Sequence, residues 1–125
     1  LIDLAPQGCL NLHTALLPKY RGLMPSFWVL RFKEKYTGVS VFKVDEGIDS
    51  GPIIIQKRIK INGSSQEQLI LKTKRMGVTA VLEAVAKIEK GDTDFLPNVD
   101  NEMTYYSFPT KHDVDEFLKN GNRFF

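Results

Sequence analysis

The sequence predicts an α/β fold. Short segments of alternating apolar and polar residues are interleaved with segments of helical periodicity, and glycine and proline separate them. The chain has 125 residues, a length that suits one domain, and we expect residues 1–125 to share a single core. Its composition, 42% hydrophobic and 26% charged, is typical of a folded globular protein and excludes disordered and fibrous classes.

The first predicted strand covers residues 8–13, where apolar and polar residues alternate after a Pro-Gln-Gly turn. Alternation directs Leu10 and Leu12 to one face. It directs Asn11 and His13 to the opposite face, about 7 Å apart along the strand. The strand therefore presents two hydrogen-bonding side chains side by side.

Two further strands are predicted over Thr37–Val44 and Ile53–Ile61, both rich in β-branched residues. The turn-forming residues 45–52 separate them. The later strand opens with three isoleucines, which is typical of a central strand that is covered on both faces. The loop over residues 16–22 contains proline and glycine and is expected to be irregular.

Helices are predicted over Ser26–Lys35, over residues 64–90 and over Lys111–Lys119, with a short aromatic segment at residues 104–109. Gly91 is the expected C-cap of the second helix. Apolar residues at 3–4 spacing in that helix predict a stripe that packs on the core. The stripe consists of Leu69, Ile70, Thr73, Met76, Val81, Leu82, Val85 and Ile88.

Charge and cysteine content narrow the function classes. The formal net charge is +2, which gives no electrostatic basis for binding nucleic acid or a membrane surface. The single cysteine, Cys9, cannot form an internal disulfide or build a cysteine-rich zinc site, and we expect it to be buried. No metal site is predicted. A lone thiol and the absence of a long apolar run favour the cytoplasm.

The candidate catalytic residues are Asn11, His13 and Asp49. An amide and an imidazole on one strand face can both donate hydrogen bonds to an oxygen that gains negative charge, and a carboxylate from a neighbouring turn can orient the imidazole. Such a trio suits acyl transfer to a nucleophile that belongs to the substrate. Spacing alone leaves a purely structural interpretation open. In that interpretation Asn11 and Asp49 are turn-forming residues and His13 is a half-buried histidine without a catalytic role.

Two motifs resemble those of the folate-dependent formyltransferases. Residues 11–22, N-L-H-T-A-L-L-P-K-Y-R-G, are similar to the N-x-H-P-S-L-L-P-x-x-x-G loop of that family. Residues 37–39 and 45–54 are similar to its T-G-V and D-x-G-x-D-T-G-x-I-I motifs. The resemblance covers about residues 4–90. Thr14-Ala15 and Ser50 replace the usual Pro-Ser and Thr, a change that affects the acceptor pocket and leaves the trio intact.

The resemblance implies the second half of a Rossmann-like domain, with three layers and a mixed sheet, whose first strands would precede this chain. It also implies transfer of a formyl group from 10-formyltetrahydrofolate to a primary amine, without a metal. Asn11 and His13 would hold the formyl oxygen. Asp49 would orient His13 and assist removal of the proton from the amine. An isolated half-domain would have little or no activity.

Two loops would bind the substrates, again by resemblance. The turn whose backbone would line the pterin ring of the folate consists of Asp45, Glu46, Gly47 and Ile48. The loop that would contact the acceptor consists of Leu17, Pro18, Lys19, Tyr20, Arg21 and Gly22. Five basic residues in and after this loop could form an anion-binding site or a solvated surface. They are Lys19, Arg21, Arg31, Lys33 and Lys35.

The acceptor is left open. The style of the L-L-P-K-Y-R-G loop favours a small molecule, an amino sugar carried on a nucleotide, with methionyl-tRNA and glycinamide ribonucleotide as alternatives. The alternative from another class is a non-catalytic module that binds folate or a partner protein. An exposed sheet edge and apolar face would favour association, including a homo-oligomer.

Overall fold

The structure, a computed structural model, describes residues 8–125 and confirms the α/β class. Its elements, in chain order, are β1 (Leu10–His13), β2 (Arg21–Gly22), α1 (Pro25–Arg31), β3 (Tyr36–Lys43), β4 (Ile53–Lys60), α2 (Gln66–Glu89), β5 (Tyr105–Tyr106) and α3 (Lys111–Lys119). A short 3₁₀ turn, Asp100–Glu102, precedes β5.

An antiparallel sheet in the order β1-β3-β4 forms the centre of the fold. In the register of β1 and β3, His13 lies opposite Ser40. The middle strand is β3, whose residues 37–42 are all buried. Among the described residues β4 lies at the sheet edge, so the expectation that the isoleucine-rich strand is central was wrong. Its predicted coverage on both faces is nevertheless present at Ile53 and Ile54, because Ile53 packs with Leu17 and Phe42 on one face and Ile54 packs in a cluster with residues of α2 on the other.

Helix α2 covers one face of the sheet. It begins with a capping box, in which the Ser65 hydroxyl accepts from the Gln68 amide and the Gln68 side chain accepts from the Ser65 amide. Ala80 and Ala84 pack against the strands in a cluster that includes Val39, Val41, Ile54, Leu10 and Leu12. The predicted apolar stripe is wrong at Leu82, which is 66% exposed, and at Val85, which is also exposed.

The loop after β1 covers the opposite face. Leu17 packs with Phe42 and Ile53 there. The Ser40 hydroxyl donates to the Ala15 carbonyl at 2.7 Å and accepts from the Leu17 amide at 3.2 Å. Through these bonds the middle strand fixes the loop that follows His13.

Helices α1 and α3 pack together at one end of the sheet, where Phe27 stacks on Phe117 with ring centroids 4.8 Å apart. The bounds of α3 are as predicted, whereas α1 ends at Arg31 and not at Lys35. The reason is local, since Lys33 has a positive φ of 57° that turns the chain towards β3.

Two further features differ from the sequence predictions. The loop over residues 16–22 ends in β2, which pairs in parallel with β5 through Arg21 opposite Tyr105. Cys9 is partly exposed and not buried. Within residues 8–125, no helix has the length and apolar character needed to cross a membrane.

Candidate functional site

The structure brings His13 and Asp49 together. His13 is the last residue of β1 and is 8% exposed. Its Nδ1 lies 3.7 Å from Oδ2 of Asp49, a residue of the turn between β3 and β4. Asn11 lies two positions earlier on the same strand face and is exposed to solvent. The predicted trio therefore occupies the end of β1 and the turn beside it.

The imidazole of His13 is held on both sides. Its Nε2 lies 2.6 Å from the Tyr20 carbonyl oxygen. A carbonyl oxygen only accepts, so Nε2 carries the hydrogen in this contact. Nδ1 is then the nitrogen that faces the Asp49 carboxylate. Both ring nitrogens thus lie next to oxygen atoms, and these two contacts fix the orientation of the imidazole.

Asp49 joins the turn to the loop after β1. Its Oδ2, the same oxygen that faces His13, accepts a hydrogen bond from the Gly22 amide at 2.9 Å. Its φ of 52° lies in the left-handed region, which aspartate adopts more readily than most residues. The side chain is 14% exposed, so most of the carboxylate is shielded from water.

The predicted folate-binding residues form one compact turn next to Asp49. The Asp45 carboxylate accepts from the Ser50 hydroxyl at 2.5 Å and from the Gly47 amide at 2.9 Å. The Ser50 hydrogen bond in particular holds the pKa of Asp45 below its ordinary value. Ile48 at the tip is 62% exposed, and Glu46 is also exposed. The turn is thus closed by its own side chains and open to solvent at its tip.

The predicted acceptor loop is mostly held inside the protein. Leu17 and Tyr20 are buried, and burial together with the nearby Glu34 raises the pKa of the Tyr20 hydroxyl. Lys19 is exposed, and Pro18 and Gly22 are half-buried.

Arg21 departs from the solvated basic surface that charge patterning allows, because it is only 3% exposed. Its Nη1 donates to Asp100 Oδ1 at 2.9 Å.

One residue near the site could not be identified from the sequence. Asn98 donates from Nδ2 to the Asp49 carbonyl and to the Gly51 carbonyl, both at 2.8 Å. These contacts span 49 and 47 residues, and neither strand alternation nor helical spacing predicts pairs at such separation. A single asparagine after a proline in an irregular segment looks like an ordinary turn residue.

Within the described part of the chain, no group of three or more histidine, cysteine, aspartate or glutamate residues is arranged to hold a metal ion.

A family model described as formyl transferase matches residues 1–85. The chain belongs to the formyl transferase family. This match includes all three residues of the trio and both motifs on which the resemblance depends, and it confirms that resemblance.

The relatives in sequence include two bacterial methionyl-tRNA formyltransferases. The protein from Kosmotoga olearia is 41% identical over 126 residues, an alignment that covers 98% of this chain and 40% of the relative. The protein from Thermodesulfovibrio yellowstonii is 42% identical over 106 residues and is covered to 34% of its length. The chain thus spans well under half of the length of these two relatives.

Solved structures support the Rossmann-like formyltransferase fold. The N-formyltransferase from Helicobacter canadensis, in complex with folinic acid and dTDP-3-aminofucose, matches with a TM-score of 0.76 and 22% identity over 89% of this chain and 46% of its own. HypX from Aquifex aeolicus, in complex with tetrahydrofolic acid, matches with a TM-score of 0.74 and 20% identity over 83% of this chain and 18% of its own.

Proposed function

We propose that the protein carrying this chain transfers a formyl group from 10-formyltetrahydrofolate to a primary amine. The observation that carries the proposal is the approach of His13 Nδ1 to Asp49 Oδ2 at 3.7 Å, next to the exposed amide of Asn11, in a chain of the formyl transferase family. Asparagine, histidine and aspartate side chains can stabilise developing charge and move protons. The nucleophile is the amine of the acceptor.

The trio would act on the formyl carbon as follows. The amine nitrogen forms a bond to that carbon, and the carbonyl oxygen takes up negative charge beside Asn11 and His13. Because Nε2 of His13 is bonded to the Tyr20 carbonyl, Nδ1 is the ring nitrogen that we assign as the donor to this oxygen. When the carbonyl re-forms, the bond from the formyl carbon to the folate nitrogen breaks. The amine loses a proton to Asp49, directly or through water, and this proton passes to the folate nitrogen as that nitrogen leaves, so the carboxylate is regenerated.

The folate and acceptor sites are proposals as well. The exposed tip of the turn over Asp45, Glu46, Gly47 and Ile48 would lie along the pterin ring. In the loop over residues 17–22, Lys19 is the side chain best placed to meet an acceptor, since Leu17, Tyr20 and Arg21 are buried.

Substitution of the trio in the full-length protein tests the reaction. At saturating donor we expect His13→Ala and Asp49→Asn each to lower kcat by about 10²-fold or more, the usual loss for an oxyanion donor or a general base. His112→Ala is the matched control, because His112 is the other histidine and lies exposed at the start of α3. Formyl transfer by His13→Ala at the wild-type rate would contradict the proposal.

The acceptor we infer is the amino group of methionyl-tRNA. The support is the 41–42% identity to methionyl-tRNA formyltransferases, which outweighs both the loop style that favoured an amino sugar nucleotide and the net charge of +2 that gave no basis for binding nucleic acid. Mass spectrometry of parallel reactions with methionyl-tRNA, an amino sugar nucleotide and glycinamide ribonucleotide decides among them. Formylation of the sugar in preference to the tRNA would return the assignment to a small-molecule acceptor.

A further inference from the structure

The segment that follows α2 crosses the candidate site. We name residues 96–106 the crossing segment. At one end, Leu96 and Ile53 exchange two backbone hydrogen bonds of 3.1 Å and 2.7 Å. Towards the other end, the Thr104 hydroxyl accepts from the Tyr20 amide at 2.8 Å. Tyr20 is the residue whose carbonyl holds His13, so the crossing segment touches the supports of the trio on both sides.

The Asn98 side chain is the point where the crossing segment meets Asp49. Its Nδ2 donates to the carbonyls of Asp49 and Gly51, and its Oδ1 accepts from Nη2 of Arg21 at 2.9 Å. The two carbonyls require the nitrogen and the guanidinium requires the oxygen, so the three partners together define one orientation of the amide. The amide is thereby clamped on both of its polar atoms.

Arg21 is the anchor of this clamp. Its guanidinium is buried and bonds the crossing segment at Asp100 Oδ1 and at both the side-chain and the backbone oxygen of Asn98. A buried guanidinium needs such partners, because an uncompensated charge in the interior is strongly destabilising. The same residue is joined through its own amide to the Thr104 carbonyl at 2.9 Å.

We propose that Asn98 is a positioning residue for Asp49, supported by Arg21. Asp49 has a left-handed backbone, which is strained for a side chain other than glycine and persists where neighbouring contacts hold it. Asn98 pins the carbonyls at residues 49 and 51, and this keeps Oδ2 between His13 and the Gly22 amide. The family match ends at residue 85, so Asn98 lies beyond the part of the chain that it describes. The catalytic consequence rests on the proposed function.

Three variants of the full-length protein separate the parts of this clamp. Asn98→Ala removes every side-chain contact, while Asn98→Asp keeps an oxygen for Arg21 and loses both hydrogen bonds to the carbonyls. We expect both to lower kcat about tenfold with little change in the donor KM, as for a misplaced catalytic group. Asn101→Ala, at an exposed asparagine of the same segment, is the control. Wild-type kcat in Asn98→Asp, or an equal loss in Asn101→Ala, would overturn the proposal.

A second measurement does not depend on activity. The Gly22 amide donates to Asp49 Oδ2, so its hydrogen exchange reports whether the carboxylate is in place. We expect exchange at Gly22 to be faster in Asn98→Ala and unchanged in Asn101→Ala, with protection in α2 retained in both. If the wild-type protein transfers no formyl group, the proposed function fails and this exchange still decides the positioning role. Unchanged protection of Gly22 in Asn98→Ala would refute that role.

Discussion

Gly22 is the residue at which the acceptor loop, the crossing segment and Asp49 meet. Its φ is +100°, and a Cβ there would lie 2.2 Å from the Tyr106 carbonyl oxygen. Its amide also donates to Asp49. Only glycine permits this backbone conformation together with so close an approach of the neighbouring strand. The glycine that ends the loop motif is thus required by the backbone conformation and by the close approach of β5.

Replacement of Gly22 should therefore cost more stability than replacement of another glycine with positive φ. Gly63 has a φ of +73°, and a Cβ there would meet no neighbouring atom within 4 Å, so Gly63→Ala is expected to lose about 1 kcal/mol from backbone strain alone. Gly22→Ala adds a steric clash and should lose about 1–3 kcal/mol more. Urea unfolding of the two variants measures both losses. Equal losses would show that the contact with Tyr106 relaxes freely.

The members of the trio were predicted from different kinds of sequence information. Alternation placed Asn11 and His13 on one strand face, and β1 bears this out. The approach of Asp49 to His13 depends on how the turn after β3 folds back, and it came from the family motif and not from periodicity. Asn98 could not be predicted in either way, because its contacts depend on the path of an irregular segment across the finished fold.

At the scale of elements, α3 was predictable to its last residue because its signals are local. Thr110 and Asp113 form a capping box, and Asn120 and Gly121 follow the helix end. By contrast, β2 and β5 have two residues each and exist because two distant segments pair in parallel. Short strands of this kind have no periodicity of their own, so the sequence predicts only a loop and an aromatic segment.

The capping box of α3 should show a pH-dependent contribution to stability. Hydrogen bonds from the Thr110 amide and hydroxyl hold the pKa of Asp113 below its ordinary value of 3.8. A lowered folded-state pKa means that the contribution is complete above the unfolded value and is lost as the pH falls through the folded value. Thr110→Ala should cost about 1 kcal/mol at neutral pH.

The cost of Thr110→Ala should shrink in strong acid, where Asp113 is protonated in wild type and variant alike. Thermal unfolding at neutral and strongly acidic pH measures the difference. Thr93→Ala, at an exposed threonine outside any helix, provides the comparison and should cost little at either pH. A constant cost of Thr110→Ala across this range would mean that the Asp113 carboxylate plays no part in the cap.

At the scale of the whole molecule, the described residues leave the site open to solvent on one side. Asn11 is exposed, and Ile48 at the tip of the turn is 62% exposed. Small-molecule sites normally bury most of their ligand between facing surfaces. Helix α2 also leaves Leu71, Val78 and Leu82 exposed, at spacings of seven and four residues that place them on one face of the helix. The chain spans 40% of its Kosmotoga olearia relative, which leaves room for the facing surface elsewhere in such a protein.

The chain by itself is therefore expected to transfer no formyl group and to bind folate only weakly, because a site that is open on one side buries too little of the ligand. In a hybrid that carries this chain in place of the aligned segment of the Kosmotoga olearia protein, the rest of that protein should supply a surface that faces the site, so the hybrid is expected to be active. The same hybrid carrying His13→Ala distinguishes transfer by this chain from contamination. Isothermal titration of the isolated chain with folinic acid tests the first expectation, and a micromolar Kd would show that residues 1–125 hold a complete folate site.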